Sequence, residues 1–326
     1  MKTFVHQMQE AVVHESHEVT KDEALKLYEA GADELCQAAN RIRQCCCSSV
    51  SSVCSVINAR QGGCSENCSY CAQSAHWRTS CMRVSMITPQ KAAELCMRAL
   101  QGQVSRISLV TSGKALIGDD FDAALECIRE MKRQCGSRMA LCASFGIISV
   151  DQLLRLKEAG VVRYHHNLET SESFFPHICT THTWRERINT ARNAKTAGLE
   201  LCCGGIIGMG EGREDRVDLA LAIRSLDVQS VPINVLTPIK GTPLGGTPPL
   251  SKEEILKTIA VFRFVMPHQV LRCAAGRKSL GENGRDAFLS GANALISGDF
   301  LTIPGSSNEE DLAMLCELGY QVENFA

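Results

Sequence analysis

Apolar runs of strand length alternate with amphipathic helical stretches along most of this 326-residue chain, and this alternation constrains the fold more than any other feature. We predict eight strands, at Val53–Asn58, Arg106–Thr111, Met139–Ala143, Arg163–Leu168, Glu200–Ile206, Pro232–Leu236, Val270–Cys273 and Ala294–Ser297. Eight strand–helix units over roughly 250 residues indicate an α/β fold, a (β/α)8 barrel of the TIM type. A doubly wound open sheet is the alternative, because one sequence does not reveal the strand order.

Capping residues mark where several of the intervening helices begin. Ser149 and Ser251 are each followed three residues later by an amide or carboxylate side chain, Gln152 and Glu254, which is the spacing of a capping box. Thr88 precedes a proline at the first helical position, where a missing N–H costs nothing. These signals place helices between the predicted strands.

A helical pattern also precedes the first strand. We expect the residues near 5–44 to pack against the outside of the barrel, as an N-terminal helical extension. The sequence shows no internal repeat, and the run CCCSSVSSVCS at 45–55 is its one low-complexity stretch. We therefore predict an N-terminal helical segment over 1–44 and a barrel domain over 45–326.

Charge and hydrophobicity exclude several classes of function. The formal net charge is −2, so no basic field favours nucleic acid as a partner. Hydrophobic residues make up 44% of the chain, enough for a large core, but no apolar run approaches the length of a membrane span. The N-terminal residues lack the apolar stretch of a secretory signal. We expect a cytoplasmic protein without nucleic-acid or membrane partners.

Eighteen cysteines are more than packing alone explains in such a chain. Disulfide frameworks belong to small secreted domains, so we expect metal ligands among these thiols. Cys64, Cys68 and Cys71 follow the first predicted strand with C-x3-C-x2-C spacing. Three thiolates can hold three irons of a 4Fe–4S cluster, and the fourth iron can then bind S-adenosylmethionine (SAM), as in radical SAM enzymes. A zinc site is the alternative, although zinc usually takes a fourth Cys or His at paired spacing.

The chain resembles the biotin synthases from about residue 30 to residue 320. The similar segments are CSENCSYCAQSAHWRT (64–79), YHHNLET (164–170), TTHTWRERI (180–188), CCGGIIGMGE (202–211), VPINVLTPIKGTPL (231–244), AAGR (274–277) and GAN (291–293). The resemblance implies a (β/α)8 barrel that inserts sulfur between two saturated carbons of dethiobiotin. It implies SAM and a 4Fe–4S cluster as cofactors, and an auxiliary iron–sulfur cluster, 2Fe–2S or larger, as the sulfur donor. It also implies an electron donor such as flavodoxin or ferredoxin, and a homodimer.

Several residues acquire roles in binding SAM or dethiobiotin from this resemblance. The matched positions are Tyr70, Asn167, Glu169, Arg187, Gly204, Gly205 and Asn234. Asn167 and Glu169 would reach the SAM ribose or the ureido ring, and Asn234 would bind the substrate. Tyr70 would lie beside the adenine, Arg187 near SAM, and the two glycines would let the backbone approach SAM. The alternative for each is structural: amides that bind backbone groups, a surface arginine and a strand bulge.

The resemblance also predicts ligands for the auxiliary cluster. Cys142, Cys202 and Arg272 coincide with family ligand positions, whereas Ser108 stands where the family has a cysteine. We predict that Cys273 replaces the missing thiolate, because thiolate is a softer iron ligand than guanidinium. Neighbouring strand residues face opposite sides, so Arg272 and Cys273 cannot both face the barrel without a bulge. The same argument applies to the additional thiol of Cys203, and packing is the alternative role for both thiols.

Other functions remain open on this sequence alone. Another radical SAM barrel, of the hydrogenase-maturation or pyrrolysine-synthesis type, would share the cysteine triplet. A non-catalytic iron–sulfur carrier would also bind a cluster, but it would have no use for amides and glycines at the ends of barrel strands.

Overall fold

A computed structural model of the protein describes residues 2–298 and 305–324. Its strands are β1 (Val50–Ser51), β2 (Val53–Arg60), β3 (Arg106–Thr111), β4 (Ala140–Ser144), β5 (Val161–His165), β6 (Glu200–Cys202), β7 (Gly205–Ile207), β8 (Ser230–Val235), β9 (Val270–Cys273), β10 (Ala294–Ile296) and β11 (Gln321–Val322). Its helices are α1 (Phe4–His14), α2 (Lys21–Leu27), α3 (Ala32–Cys46), α4 (Pro89–Gln101), α5 (Gly118–Cys135), α6 (Val150–Glu158), α7 (Phe175–Ile178), α8 (Trp184–Thr196), α9 (Arg213–Ser225), α10 (Lys252–Val265), α11 (Arg285–Leu289) and α12 (Asn308–Glu317). Two short 3-10 helices, Arg277–Leu280 and Glu282–Gly284, precede α11.

The strands close into a parallel barrel. The hydrogen-bonded order is β6-β5-β4-β3-β2-β10-β9-β8-β7, and a pairing of Cys202 with Ser230 joins β6 to β8. Strands β6 and β7 are successive segments of one barrel position, so eight positions complete the ring. The predicted (β/α)8 barrel is confirmed, and the open sheet is excluded by the closure.

The predicted strand Glu200–Ile206 is interrupted, and the interruption has a local cause. The backbone N–H of Gly204 leaves the ladder and donates to Oδ1 of Asn167 at 3.1 Å. A Cβ added at Gly204 would lie 1.9 Å from the carbonyl oxygen of Pro232, and one at Gly205 would lie 2.4 Å from that of Glu169. Neighbouring backbones approach so closely here that only glycine fits.

The predicted helix starts are confirmed, with one difference at α10. At α6 the capping box is complete, because Ser149 caps the N–H of Gln152 and the Gln152 side chain accepts from Ser149 N–H. At α10 the Ser251 hydroxyl accepts from Glu254 N–H at 3.2 Å, but the Glu254 carboxylate binds Arg213 instead of returning to the cap. The Glu254 side chain, which the local pattern assigned to the capping box, is therefore bound by an arginine of α9 instead.

The N-terminal helices lie outside the barrel and share its core. Buried residues of α1–α3 belong to the same continuous apolar cluster as those of the barrel helices. The Tyr28 hydroxyl donates to Thr258 in α10 at 3.1 Å, and Lys21 binds Asp218 in α9 at 2.9 Å. The domain boundary predicted between residues 44 and 45 falls inside α3, which continues to Cys46. Strand β1 pairs in parallel with β11, which ties this region to the C-terminal end of the described chain.

Side-chain alternation divides the barrel cysteines between two environments. Cys203 and Cys273 lie in the apolar layer between the strands and the helices. Cys142 and Cys202 are buried outside that layer, and their thiols interact electrostatically. In the described part of the chain, no helix has the length and apolarity that crossing a membrane requires.

Candidate active site at the carboxyl end of the barrel

A cavity of about 360 Å³ opens among the carboxyl ends of the strands, where the active sites of such barrels lie. Its volume suits a small-molecule ligand. The residues predicted from the sequence that line it are Cys64, Cys68, Tyr70, Cys71, Asn167, Glu169, Arg187 and Asn234. The fold therefore gathers around one cavity residues that are spread over 171 positions of the sequence.

The cysteine triplet lies on the loop between β2 and α4. Gly62 and Gly63 begin this loop with φ of +71° and +65°, a left-handed backbone that favours glycine. Asn67 fastens the loop to the segment after α7, because its Oδ1 accepts from the N–H of Thr180 at 2.9 Å. The indole N–H of Trp77 donates to the carbonyl of Cys68 at 3.0 Å. The three thiols are thus held by the fold rather than by the loop alone.

Burial governs the ionisation of these thiols. It raises the pKa of Cys71 to about 11, and it also raises the pKa of Cys64. The pKa of Cys68 is raised still further, mainly by the hydrogen bond with the Cys179 sulfur and secondly by burial. These thiols are protonated at neutral pH without a metal, so a metal that binds them must displace protons. A soft three-thiol donor set beside an open cavity fits a 4Fe–4S cluster with one free iron.

A linked set of polar groups forms the wall opposite the triplet. Arg187, from α8, donates from Nη2 to Glu169 at 2.8 Å and from Nε to the carbonyl of Asn167 at 2.6 Å. The Asn167 Oδ1 accepts from the N–H of Gly204, so the amide closes the gap between β6 and β7. Arg187 is therefore largely buried and is not the surface arginine of the alternative interpretation.

The other predicted ligand residues divide into two groups. Asn234 lines the cavity, but its amide already bridges two backbone groups, the carbonyl of Gly205 at 3.0 Å and the N–H of Ala275 at 3.2 Å. Tyr70 also lines the cavity, and burial raises the pKa of its phenol. Gly204 and Gly205 do not line it. A Cβ at either position would clash with a neighbouring backbone carbonyl, so the absence of a side chain serves local packing, and their role toward SAM stays a prediction.

Deeper in the barrel, a third thiol lies near Cys142 and Cys202, and the sequence analysis did not identify it. Burial, followed by electrostatic repulsion from Cys54 of β2, raises the pKa of Cys142 to about 12. Burial also raises the pKa of Cys202, and Cys54 adds to that rise. In register, Cys54 lies between Arg106 of β3 and the cavity-lining Ile296 of β10. This register places Cys54 on the inner face of β2, a choice of face that side-chain alternation in the sequence alone does not make.

Arginines surround these inner thiols. Arg163 and Arg106 offset part of the burial-driven rise in the pKa of Cys142, and Arg163 and Arg272 offset part of that rise for Cys202. The Arg272 guanidinium is anchored by Ser52, whose hydroxyl accepts from Nη2 at 2.6 Å and whose carbonyl accepts from Nη1 at 2.9 Å. Positive charge at this depth complements thiolates that bind iron.

Cys273 does not join the inner thiols. It is next to Arg272 on β9 but lies in the outer apolar layer, so the structure does not support the predicted replacement of the missing ligand by Cys273. Ser108 pairs in register with Cys142, and its buried hydroxyl has no hydrogen-bond partner in the described part of the structure. The thiol that lies near Cys142 and Cys202 is Cys54, on the neighbouring strand β2.

The barrel and its loop of three cysteines define a radical SAM enzyme. Residues 59–223 match the Radical SAM superfamily, and residues 232–321 match the Biotin and Thiamin Synthesis associated domain. The chain is 45% identical to a biotin synthase of Clostridium tetani over 99% of this chain and all of that protein. It is 46% identical to one of Akkermansia muciniphila over 93% of this chain and 94% of the relative. The chain belongs to the biotin synthase family.

Solved structures of lower sequence identity share the fold. Methylornithine synthase (PylB) superposes with a TM-score of 0.83 at 19% identity, over 98% of each chain. HydG, a maturase of the [FeFe]-hydrogenase, superposes with a TM-score of 0.82 at 15% identity, over 98% of this chain and 74% of that one. At these identities the likeness concerns the architecture alone.

Proposed function

We propose that this enzyme forms biotin by inserting sulfur into dethiobiotin, with SAM and a 4Fe–4S cluster at the cavity and an auxiliary iron–sulfur cluster deeper in the barrel. One observation supports the proposal: a single barrel holds two groups of neighbouring thiols, the loop triplet at its mouth and the inner group of Cys54, Cys142 and Cys202, and thiolates are the usual ligands of iron–sulfur clusters. A cleavage-only radical enzyme needs the first set. Sulfur insertion also needs a source of sulfur, which the second set can hold.

The first set would be Cys64, Cys68 and Cys71. When bound and reduced by an external donor, the cluster would supply the one-electron chemistry for cleaving SAM, which would make it possible to take hydrogen from a saturated carbon. No side-chain base could deprotonate such a carbon. The residues of this chain then bind and orient the reactants, and the walls of the cavity exclude water.

The opposite wall would hold SAM and dethiobiotin. Glu169 carries a carboxylate that accepts from Arg187 through Oε1, and Asn167 presents its amide beside it at 3.4 Å from Oε2. Carboxylate and amide groups suit ribose hydroxyls and a ureido ring, respectively. Asn234 supplies a further amide at the end of β8, already oriented by its two backbone contacts.

The second set would be Cys54, Cys142 and Cys202, with Arg272 as the neighbouring family ligand position. Three soft thiolates are a better donor set for iron than the Ser108 hydroxyl. The guanidinium of Arg272 is held in place by Ser52 and by the Leu295 carbonyl at 2.7 Å. It would either complete the ligand set or balance its negative charge. The donor set fits an auxiliary cluster of 2Fe–2S size or larger.

External partners complete the proposal. We infer a one-electron donor, such as flavodoxin or ferredoxin, and a homodimeric assembly from the family relationship.

The test is anaerobic turnover of the reconstituted, reduced protein with SAM and dethiobiotin. We expect both 5′-deoxyadenosine and biotin. SAM cleavage without biotin, with dethiobiotin unaltered, would leave a radical SAM enzyme of different specificity, as in the relatives that share only the fold. Iron bound without any SAM cleavage would indicate a carrier and would contradict the proposal at its first step.

A further inference from the structure

Cys179 lies against a member of the cysteine triplet and has no part in the proposed reaction. Its sulfur is 3.8 Å from that of Cys68. Cys179 follows α7 and is buried, with 4% of its surface exposed, whereas Cys68 lines the cavity. A thiol that is open to the cavity therefore has a second, shielded thiol in contact with it.

The backbone segments around these two cysteines run in opposite directions and bring them face to face. The N–H of Ser69 donates to the carbonyl of Ile178 at 2.8 Å, and the N–H of Thr180 donates to Oδ1 of Asn67 at 2.9 Å. The neighbours of one cysteine thus contact the neighbours of the other in reverse order, as in an antiparallel pair. Residues that face each other in such pairs have Cα atoms about 4.5–5.5 Å apart, which lies within the range of about 4.4–6.8 Å found in disulfides.

Other contacts hold the Cys179 sulfur in position beside Cys68. This sulfur lies 3.3 Å from Nδ1 of His182 and 3.5 Å from Oγ1 of Thr181. The imidazole is itself fixed, because the same nitrogen lies 2.6 Å from the carboxylate of Glu66. To reach the bond length of a disulfide, about 2.05 Å, the two sulfurs must approach by about 1.8 Å from their separation of 3.8 Å. Rotation of the two side chains about their Cα–Cβ bonds supplies a movement of this size.

We propose that Cys68 and Cys179 form a reversible disulfide when the cluster-free protein meets hydrogen peroxide. The sulfur of Cys68, reached through the cavity, attacks one peroxide oxygen: an S–O bond forms, the O–O bond breaks, and the other oxygen leaves as water with the thiol proton. The sulfur of Cys179 then attacks the sulfenic sulfur, the S–S bond forms, and the S–O oxygen leaves as a second water. Both sulfurs are oxidised and both peroxide oxygens are reduced, so two thiols and one peroxide give one disulfide and two waters.

The disulfide has two consequences for the triplet. It withholds Cys68 from iron, so the linked protein and the protein with a 4Fe–4S cluster exclude each other; this consequence rests on the cluster site of the proposed function. It also protects Cys68, because a sulfenic acid without a neighbouring thiol is oxidised further to sulfinic acid, which thiols do not reduce. A dithiol returns both cysteines to the reduced state by exchange.

The direct test is peptide mapping of cluster-free, full-length protein after one equivalent of hydrogen peroxide and alkylation of the remaining thiols. Trypsin leaves the whole triplet on the peptide 61–78 and Cys179 on the peptide 164–185. We expect mass spectrometry to find these two peptides joined in the wild type and in Cys64→Ala, and separate in Cys68→Ala. A disulfide confined to the peptide 61–78 as the main product would overturn the proposal. So would a link that persists in Cys68→Ala and disappears in Cys64→Ala.

A second measurement follows the fate of Cys68 under excess peroxide. After treatment with dithiothreitol, fragmentation of the peptide 61–78 should show severalfold more sulfinic acid at this residue in Cys179→Ala than in the wild type. Cys316→Ala, at an exposed cysteine of α12, is the matched control and should behave as the wild type. Equal sulfinic acid in Cys179→Ala and the wild type would overturn the proposal. Neither measurement needs a cluster, so a failure here is distinct from a failure of turnover with SAM and dethiobiotin.

Discussion

Arg187 donates a hydrogen bond to Glu169 across 2.8 Å, and this ion pair joins helix α8 to the segment that follows β5. Glu169 adopts a φ of +70°, which few residues other than glycine favour, so the contact fixes a strained backbone at the cavity wall. The side chains of Arg187 and Glu169 are 13% and 10% exposed. The pair is therefore shielded from water, and removal of one partner leaves a buried charge.

The first prediction concerns this pair. Arg187→Met should lower the free energy of unfolding by about 3–5 kcal/mol, because the Glu169 carboxylate loses its partner in a largely buried position. Urea denaturation measures the change. Arg185→Met is the matched control: Arg185 is on the same helix, 82% exposed and paired with exposed Glu172, so its loss should stay within about 0.5 kcal/mol. Equal effects would contradict the assigned role.

The second prediction concerns the break between β6 and β7. Gly204→Ala should destabilise the protein by at least about 3 kcal/mol, because the new Cβ would lie 1.9 Å from the Pro232 carbonyl oxygen and the backbone must shift. Gly246→Ala is the control, since a Cβ there meets no atom within 4 Å. Thermal denaturation compares the two. A Gly204→Ala protein as stable as Gly246→Ala would show that the strands do not approach as described.

The third prediction concerns the loop triplet. Replacement of Cys64, Cys68 or Cys71 by Ala should abolish formation of 5′-deoxyadenosine, because an incomplete ligand set loses the cube or its reducible form. Chromatography of reduced, SAM-treated protein measures the product. Cys316→Ala, at an exposed cysteine of α12, should keep full cleavage. SAM cleavage that persisted in Cys68→Ala would refute the assignment of the cluster.

The fourth prediction separates the inner thiols from the packing thiols. Cys54→Ala, Cys142→Ala and Cys202→Ala should each lower bound iron and sulfide and stop biotin formation, while SAM cleavage continues. Cys203→Ala and Cys273→Ala should leave the iron content unchanged, because both side chains lie in the apolar layer. Elemental analysis after anaerobic reconstitution provides the comparison. Loss of iron in Cys273→Ala but not in Cys54→Ala would restore the ligand choice made from the sequence.

The fifth prediction concerns the two amides. Asn167→Ala and Asn234→Ala should weaken binding of SAM or dethiobiotin about ten- to hundredfold, the equivalent of about 1–3 kcal/mol for one lost hydrogen bond to a buried ligand. Iron content should stay constant. Equilibrium dialysis of the cluster-loaded variants measures the affinities, and wild-type affinity for both ligands in both variants would place the site elsewhere.

The sequence predicted those features that depend on neighbouring residues. The strands follow from local apolar runs, and the triplet spans only Cys64 to Cys71, so its chemistry is visible without a fold. The alternation of side chains along a strand correctly predicted that Arg272 and Cys273 face opposite sides of β9. The sequence alone does not show which of the two faces the barrel interior, because that depends on how β9 lies against the rest of the ring.

The remaining site residues are separated along the chain and meet only in the folded barrel. Cys179 contacts Cys68 across 111 positions, and His182 meets Glu66 across 116. Cys54 lies in a cysteine- and serine-rich run whose composition suggested no role, and only its register with neighbouring strands shows that it faces inward. The sequence could not show that Gly204 and Gly205 lie directly against the backbones of Pro232 in β8 and of Glu169 after β5.

The shared core of the N-terminal helices has a consequence for synthesis on the ribosome. Tyr28 is 1% exposed, and its hydroxyl partner Thr258 is translated 230 residues later. At a translation rate of about 5–20 residues per second, the apolar faces of α1–α3 therefore remain without their packing partners α9 and α10 for roughly 10–50 s. During that interval they are available to chaperones and to other nascent chains. Slower translation should lengthen this exposure and lower the yield of folded protein.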